Sequence, residues 1–357
     1  MVALDTHAMR RIEGDRSHRA RALCAGLVLL LCCMAVVSLG WGASGTSFFG
    51  VLGKLLSGQE LSLQDRIVIV NIRLPRMVMG IMVGAALAMS GAIMQGLFRN
   101  PLADPGLVGV SAGASLGAIT AIVLGGSLPA AVGAFFGWHL VPAMAFAGGW
   151  LSMMILYRIA TQSGRTSIAT MLLAGIVLGA LTAALSGIVI YMADDNQLRD
   201  LTFWGLGSLA GASWAKIAAA GPVIAVALCF APMLARGLNC LALGEAAAIH
   251  SGIRLQRVKN AAILTVAGAT GAAVAISGGI GFVGIVVPHL LRLLTGPDHR
   301  WLLVNSGLLG ASMLLVADIV SRTIVAPAEL PIGIVTAVIG GPFFLWILLR
   351  NRNLVDL

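Results

Sequence analysis

The chain has 357 residues, 59% of them hydrophobic and 10% charged, with a formal net charge of +9. A soluble domain carries about 25% charged residues, so this composition, with a mean hydropathy of +0.97, excludes a soluble enzyme and describes a polytopic membrane protein. Nor does the positive charge suggest nucleic-acid binding, because the arginines sit in short connections between apolar runs rather than on one basic face.

Crossing a bilayer takes about 20 mostly apolar residues. Ten such segments are predicted, at 22–42, 77–98, 107–125, 138–157, 168–192, 217–235, 260–278, 280–294, 301–325 and 331–349. The first follows the basic residues Arg10, Arg11, Arg16, Arg19 and Arg21. Its apolar run, about 21 residues, exceeds the roughly 7 to 15 of a signal-peptide core, so it is expected to be an uncleaved span. Cys24, Cys32, Cys33, Cys229 and Cys240 lie in or beside spans without metal or disulfide spacing and are read as packing residues.

The second span is bracketed by arginines, Arg73 and Arg76 before it and Arg99 after it. Within it, at about 100° per residue, Gly80, Gly84 and Gly91 fall within about 40° of one another, and that face should admit another helix closely. Met79, Met82 and Met89 point largely away from the glycines. Core or lipid contact is the plain reading for them, and lining of a pathway for a large apolar ligand is the functional one.

At the third span, "GVSAG" at 109–113 matches the G-x-S-x-G of serine hydrolases, with Ser111 as nucleophile. That motif needs a strand-to-helix elbow. Here it opens an apolar helix in which Gly109, Gly113 and Gly117 recur every four residues, as a packing face does. His139 and Tyr191 lie at span edges, where neither makes a metal site. "SGRTS" at 163–167 resembles only the tail of a phosphate loop, and G-x-x-x-x-G-K-[ST] is absent from the sequence. If ATP drives this chain, a partner supplies the engine. The segment 191–214 carries Asp194 and Asp195, then Phe203, Trp204 and Trp214, aromatics suited to a membrane boundary.

The loop 236–257 contains a predicted short helix from Glu245 to His250. Glu245 and His250 suit the helix dipole at its two ends, and Gly252 can terminate it. Its shape fits either a connection or a wedge for a partner's groove. In the seventh span "GAAVAISGGI" at 271–280 repeats "GAALAMSGAI" at 84–93 at seven of ten positions. The copies lie an odd number of spans apart and so run in opposite directions, which is an inverted repeat of the kind that builds transport paths. The short eighth span is interrupted by Pro288, and His289 and Arg292 near its end are read as helix-end anchors rather than haem ligands. Asp318 lies well inside the ninth span, with Arg322 four residues on. Such a pair is read as structural rather than as a proton relay, which weakens an ion-coupled mechanism.

Lysine and arginine sort by connection. Arg10, Arg11, Arg16, Arg19, Arg21, Arg99, Arg158, Arg165, Arg236, Arg254, Arg257, Lys259, Arg292, Arg300, Arg350 and Arg352 fall on one side. Lys54, Arg66, Arg73, Arg76, Arg199, Lys216 and Arg322 fall on the other. The positive-inside rule then places both termini in the cytoplasm. The expected organisation is an N-terminal tail at 1–21, one ten-span domain at 22–350 and a C-terminal tail at 351–357.

Five stretches in order, "RLPR" at 73–76, "MQGLFRNPLADPGLVGVSAGA" at 94–114, "LNCLALGEAAA" at 238–248, "GFVGIVVPHLLR" at 281–292 and "LPIGIVTAVIGGPFF" at 330–344, cover nearly the whole chain. Together they resemble the FecCD-type permease subunits of binding-protein-dependent ABC importers for iron-siderophores, haem and cobalamin.

The resemblance implies an all-α, ten-span type II importer permease in a bacterial inner membrane. Such a permease works as a homodimer with two ATPase subunits and a periplasmic binding protein, and it holds no permanent cofactor or metal. It further implies that Arg73, Arg76 and Arg322 dock acidic residues of the binding protein, as solvated arginines at the mouth can. Leu243, Gly244, Glu245 and Ala246 would couple to the ATPase. The segment 191–214 looks most like the haem importers, so haem is the expected cargo, ahead of a ferric siderophore or cobalamin. An ion-coupled carrier is the alternative from another class.

Overall fold

In a computed structural model, residues 16–41, 48–60, 62–162 and 165–350 are described. The remaining tail residues expected at 1–15 and 351–357 lie outside them. The helices are α1 (Ser17–Gly40), α2 (Phe48–Leu56), α3 (Leu63–Arg66), α4 (Leu74–Phe98), α5 (Val110–Leu124), α6 (Ala130–Phe136), α7 (Leu140–Ala160) and α8 (Ile168–Tyr191). They are followed by α9 (Asp195–Gly205), α10 (Trp214–Phe230), α11 (Ala235–Ala242), α12 (Glu245–His250), α13 (Leu255–Ser277), α14 (Val283–Thr295), α15 (His299–Ser321) and α16 (Ile332–Arg350). A two-stranded antiparallel hairpin, β1 (Thr161–Gln162) with β2 (Arg165–Thr166), joins α7 to α8.

Among the described residues eight helical segments are long and apolar enough to cross a membrane, and Val283–Thr295 and Ile332–Trp346 are shorter apolar helices. Together they match the ten predicted segments. The first begins at Ser17, five residues earlier than expected, so the predicted tail boundary at 21 falls inside a helix. All five cysteines are free.

Helix α4 lies at the centre, packed against α15, α13, α14 and α10. The chain enters it through a π-helical turn, Ile67–Arg73. Pro75, at the start of α4, has no N–H to give the carbonyl four residues back, and a widened turn accommodates that loss. The glycine face behaves as its spacing predicts. A Cβ on Gly84 would collide with the backbone of Gly310 in α15, and one on Gly91 with the backbone of Gly284 in α14. On α5, Gly113 and Gly117 lie against the backbone of Gly148 and Met144 in α7. Ser111 therefore opens a packing helix, with no nucleophile elbow beneath it.

The break near the eighth span is displaced from its expected position. Pro288 lies inside α14, whereas the chain is unwound at Gly278–Phe282, where Gly278 and Phe282 both adopt positive φ. Gly278 abuts the carbonyl of Trp204 at the end of α9, so side-chain bulk there is excluded by backbone rather than by the proline.

Candidate functional site

The three arginines assigned to docking converge at the end of the bundle where α1 stops and α4 starts. Each has under a tenth of its surface exposed, so the expectation of freely solvated arginines is corrected. Arg73 donates to the carbonyl of Leu39 at 2.6 Å, and Arg322 to that of Ser38 at 2.8 Å. These are last-turn carbonyls of α1, left without intrahelical partners and carrying the negative end of the helix dipole. Arg76 donates from Nε to Asp318 Oδ1 at 2.8 Å. Its other arm reaches both carboxylate oxygens of Glu329, at 2.8 and 2.9 Å. The expected Asp318–Arg322 pair is present but looser, at 3.6 Å.

Two of the guanidiniums, Arg76 and Arg322, thus share two carboxylates, and the carboxylate that reaches water is Glu329, whose side chain is 39% exposed against 1% for Asp318. Sequence reading missed Glu329 and the Arg76–Asp318 pair. The signal available was the run "AEL" before Pro331 and α16, which gives no indication of a contact across the whole chain.

At the other end, α12 spans Glu245–His250, the segment predicted. Gly244 precedes it at φ +109, a backbone conformation that L side chains rarely adopt. Lys259, buried in the first turns of α13, donates to Glu245 Oε1 at 2.8 Å and to the Thr166 carbonyl of β2 at 2.9 Å. The start of α12 is thereby tied to both α13 and the hairpin. Leu243 beside it is 78% exposed and Ile249 59%, an apolar pair left uncovered by this chain. Ala246 lies one residue into α12.

His289 and Arg292 lie near the end of α14, His289 buried. Arg292 donates to the side-chain oxygen of Gln95, whose nitrogen donates to the Gly284 carbonyl at 3.3 Å. Arg292 therefore anchors α14 onto α4. Met79 and Met89 are buried in the core, and Met82 packs against Gly221 of α10. Met79 and Met89 thus sit among packing residues of α4, while Met82 is only partly buried. Among the described residues, no cluster of histidine, cysteine or acidic side chains could hold a metal.

Residues 27–350 match the model of the FecCD transport family. The hemin transport system permease protein HmuU of Yersinia pestis is 43% identical over 93% of this chain and 97% of its own. The vitamin B12 import system permease protein BtuC of Klebsiella pneumoniae is 41% identical over 95% of this chain and 96% of its own. Among solved structures, an inward-facing metal-chelate type ABC transporter superposes with a TM-score of 0.80 at 32% identity, covering 92% of this chain and 99% of that one. Matched from the first span to the last, and carrying the apolar helices such a role requires, the chain belongs to the FecCD transport family as a multi-pass permease of an ABC importer.

Proposed function

We propose that this permease carries haem from a periplasmic binding protein into the cytoplasm, driven by ATP hydrolysis on separate ATPase subunits. The observation that carries the cargo is the 43% identity to a hemin permease across nearly both chains. The segment 191–214, with Phe203, Trp204 and Trp214 at a membrane boundary, supports it. The vitamin B12 permeases, at 41 to 43% identity, support cobalamin as the second reading.

The permease functions as a homodimer with two ATPase subunits in a bacterial inner membrane, both termini cytoplasmic. The positive-inside count supports that orientation, and the exposed Leu243 and Ile249 beside α12 support an ATPase seated there. Arg73, Arg76 and Arg322 form the docking site for the binding protein. Since Glu329 already occupies Arg76, a carboxylate of the partner docks by exchanging with it, a contact favoured by the excess of positive charge in the cluster.

The test is ATP-dependent uptake into vesicles holding the permease and its ATPase, with haem, cobalamin or a ferric siderophore offered on matching binding proteins. Haem uptake that disappears with a hydrolysis-dead ATPase is expected. Cobalamin or siderophore uptake alone overturns the cargo, and uptake that persists with the dead ATPase moves the protein to the secondary carriers.

A further inference from the structure

A two-part cavity opens between α7, α9, α10 and α13, at the same end of the bundle as the arginine cluster. Its upper part, about 620 Å³, is polar at the rim, with Lys216, Asp200, Ser208, Ser213 and Ser277 around the ring of Trp204. Its lower part, about 220 Å³, is lined almost wholly by apolar side chains. Both parts share Pro142, Ala275 and Ile276, so they lie directly against one another.

Helix periodicity explains the shape. Lys216, Ala219 and Val223 form one stripe on α10, descending about 10 Å at 1.5 Å per residue. Pro142 and Phe146 on α7 and Ile276 and Ala272 on α13 descend beside it, leaving a slot between three spans. Val223, in the slot's lining, is 37% exposed, so the slot opens onto the outer surface of this chain. Trp214, 43% exposed in the first turn of α10, marks the boundary level at the slot's mouth.

The charges at the mouth are uncommitted. Neither Lys216 nor Asp200 takes part in an ion pair among the described residues, either with each other or with a third group. A cation and an anion held apart over an apolar slot are complementary to a ligand carrying both charges on its head and hydrocarbon beneath.

We propose that this cavity binds one zwitterionic phospholipid of the ethanolamine type. Lys216 takes the phosphate, Asp200 takes the ammonium, and an acyl chain fills the slot between α7, α10 and α13. A cargo with carboxylates and no ammonium satisfies Lys216 but leaves Asp200 opposed by like charge.

The experiment is native mass spectrometry and thermal melting of the delipidated full-length protein, titrated with phosphatidylethanolamine, phosphatidylglycerol or hemin. Phosphatidylethanolamine is expected to bind and stabilise in preference to phosphatidylglycerol. Lys216→Gln should weaken it about tenfold, as loss of one charge-assisted contact does, and Lys216→Arg should retain it. Asp200→Asn should erase the preference between the two lipids while leaving the fold intact. Equal binding of both lipids by the unaltered protein, or unchanged binding in Lys216→Gln, overturns the proposal. Hemin that displaces phosphatidylethanolamine competitively overturns it in favour of a cargo site.

Discussion

Arg76 and Asp318, 242 residues apart in sequence, meet through a 2.8 Å Nε to Oδ1 contact that joins the start of α4 to the end of α15. Asp318 also faces Arg322, so one carboxylate holds two buried guanidiniums.

Removing that carboxylate leaves both arginines buried without their shared counter-charge. Asp318→Ala is expected to cost about 3–5 kcal/mol, the range for breaking a buried pair. Glu329→Gln, at a side chain 39% exposed, should cost under about 1 kcal/mol. Thermal melting in detergent checks both, and equal losses would refute the division of labour drawn here.

Docking by exchange makes a prediction of opposite sign for the same residue. With Glu329→Gln the Arg76 fork is no longer held by an internal carboxylate, so the binding protein should associate more tightly. The gain should shrink at high salt as screening takes hold. Weaker association, measured by surface plasmon resonance, would instead make Glu329 a required part of the docking surface.

Gly91→Leu drives a side chain into the backbone of Gly284, which cannot rotate away. A loss of about 1–3 kcal/mol or more is expected, as for overpacking. Gly26→Ala, with open space around the added methyl, should leave the melting temperature unchanged or slightly raised.

Glu245→Ala releases the start of α12 from Lys259 without emptying any core volume. ATP hydrolysis and binding-protein association should persist, while haem delivered per ATP consumed should fall. Simultaneous assay of phosphate release and uptake decides it, and an unchanged ratio would remove α12 from the coupling path.

Asp104, in the connector between α4 and α5, accepts the Gly106 N–H at 2.7 Å, but burial pushes its carboxyl pKa upward. A carboxyl harder to ionise in the folded chain contributes stability below the ordinary carboxylate range and loses it as pH rises through the raised value. Asp104→Asn keeps the acceptor and cannot ionise, so it should flatten the decline in melting temperature as pH rises above the ordinary carboxylate range. A parallel decline in the variant would assign it to other groups.

The ten spans were legible because hydrocarbon thickness fixes their length, and α12 because its dipole partners and following glycine bound it locally. The glycine face of α4 followed from helix angle alone. Burial of Arg73, Arg76 and Arg322 was not legible. Their acceptors are the carbonyl ends of α1 and two carboxylates from the far end of the chain, and arginine in a connection ordinarily signifies solvent. The methionines, read first as core or lipid contacts, show a related limit. Helix angle tells which residues share a face, but α4 has neighbours on all sides, and only tertiary packing fixes that number.

The backbone contacts of Gly84 with Gly310 and of Gly91 with Gly284 also limit how the transporter can move. Two helices in carbonyl-to-Cα register cannot slide by less than a full residue repeat without a collision, and side-chain rotamers offer no slack there. Arg292 and Arg76 fasten opposite ends of the same assembly. Helices α4, α14 and α15 are therefore expected to move as one body in any conformational change of the transporter. A change of shape would then fall to peripheral elements such as α8, much of whose surface is left exposed by this chain.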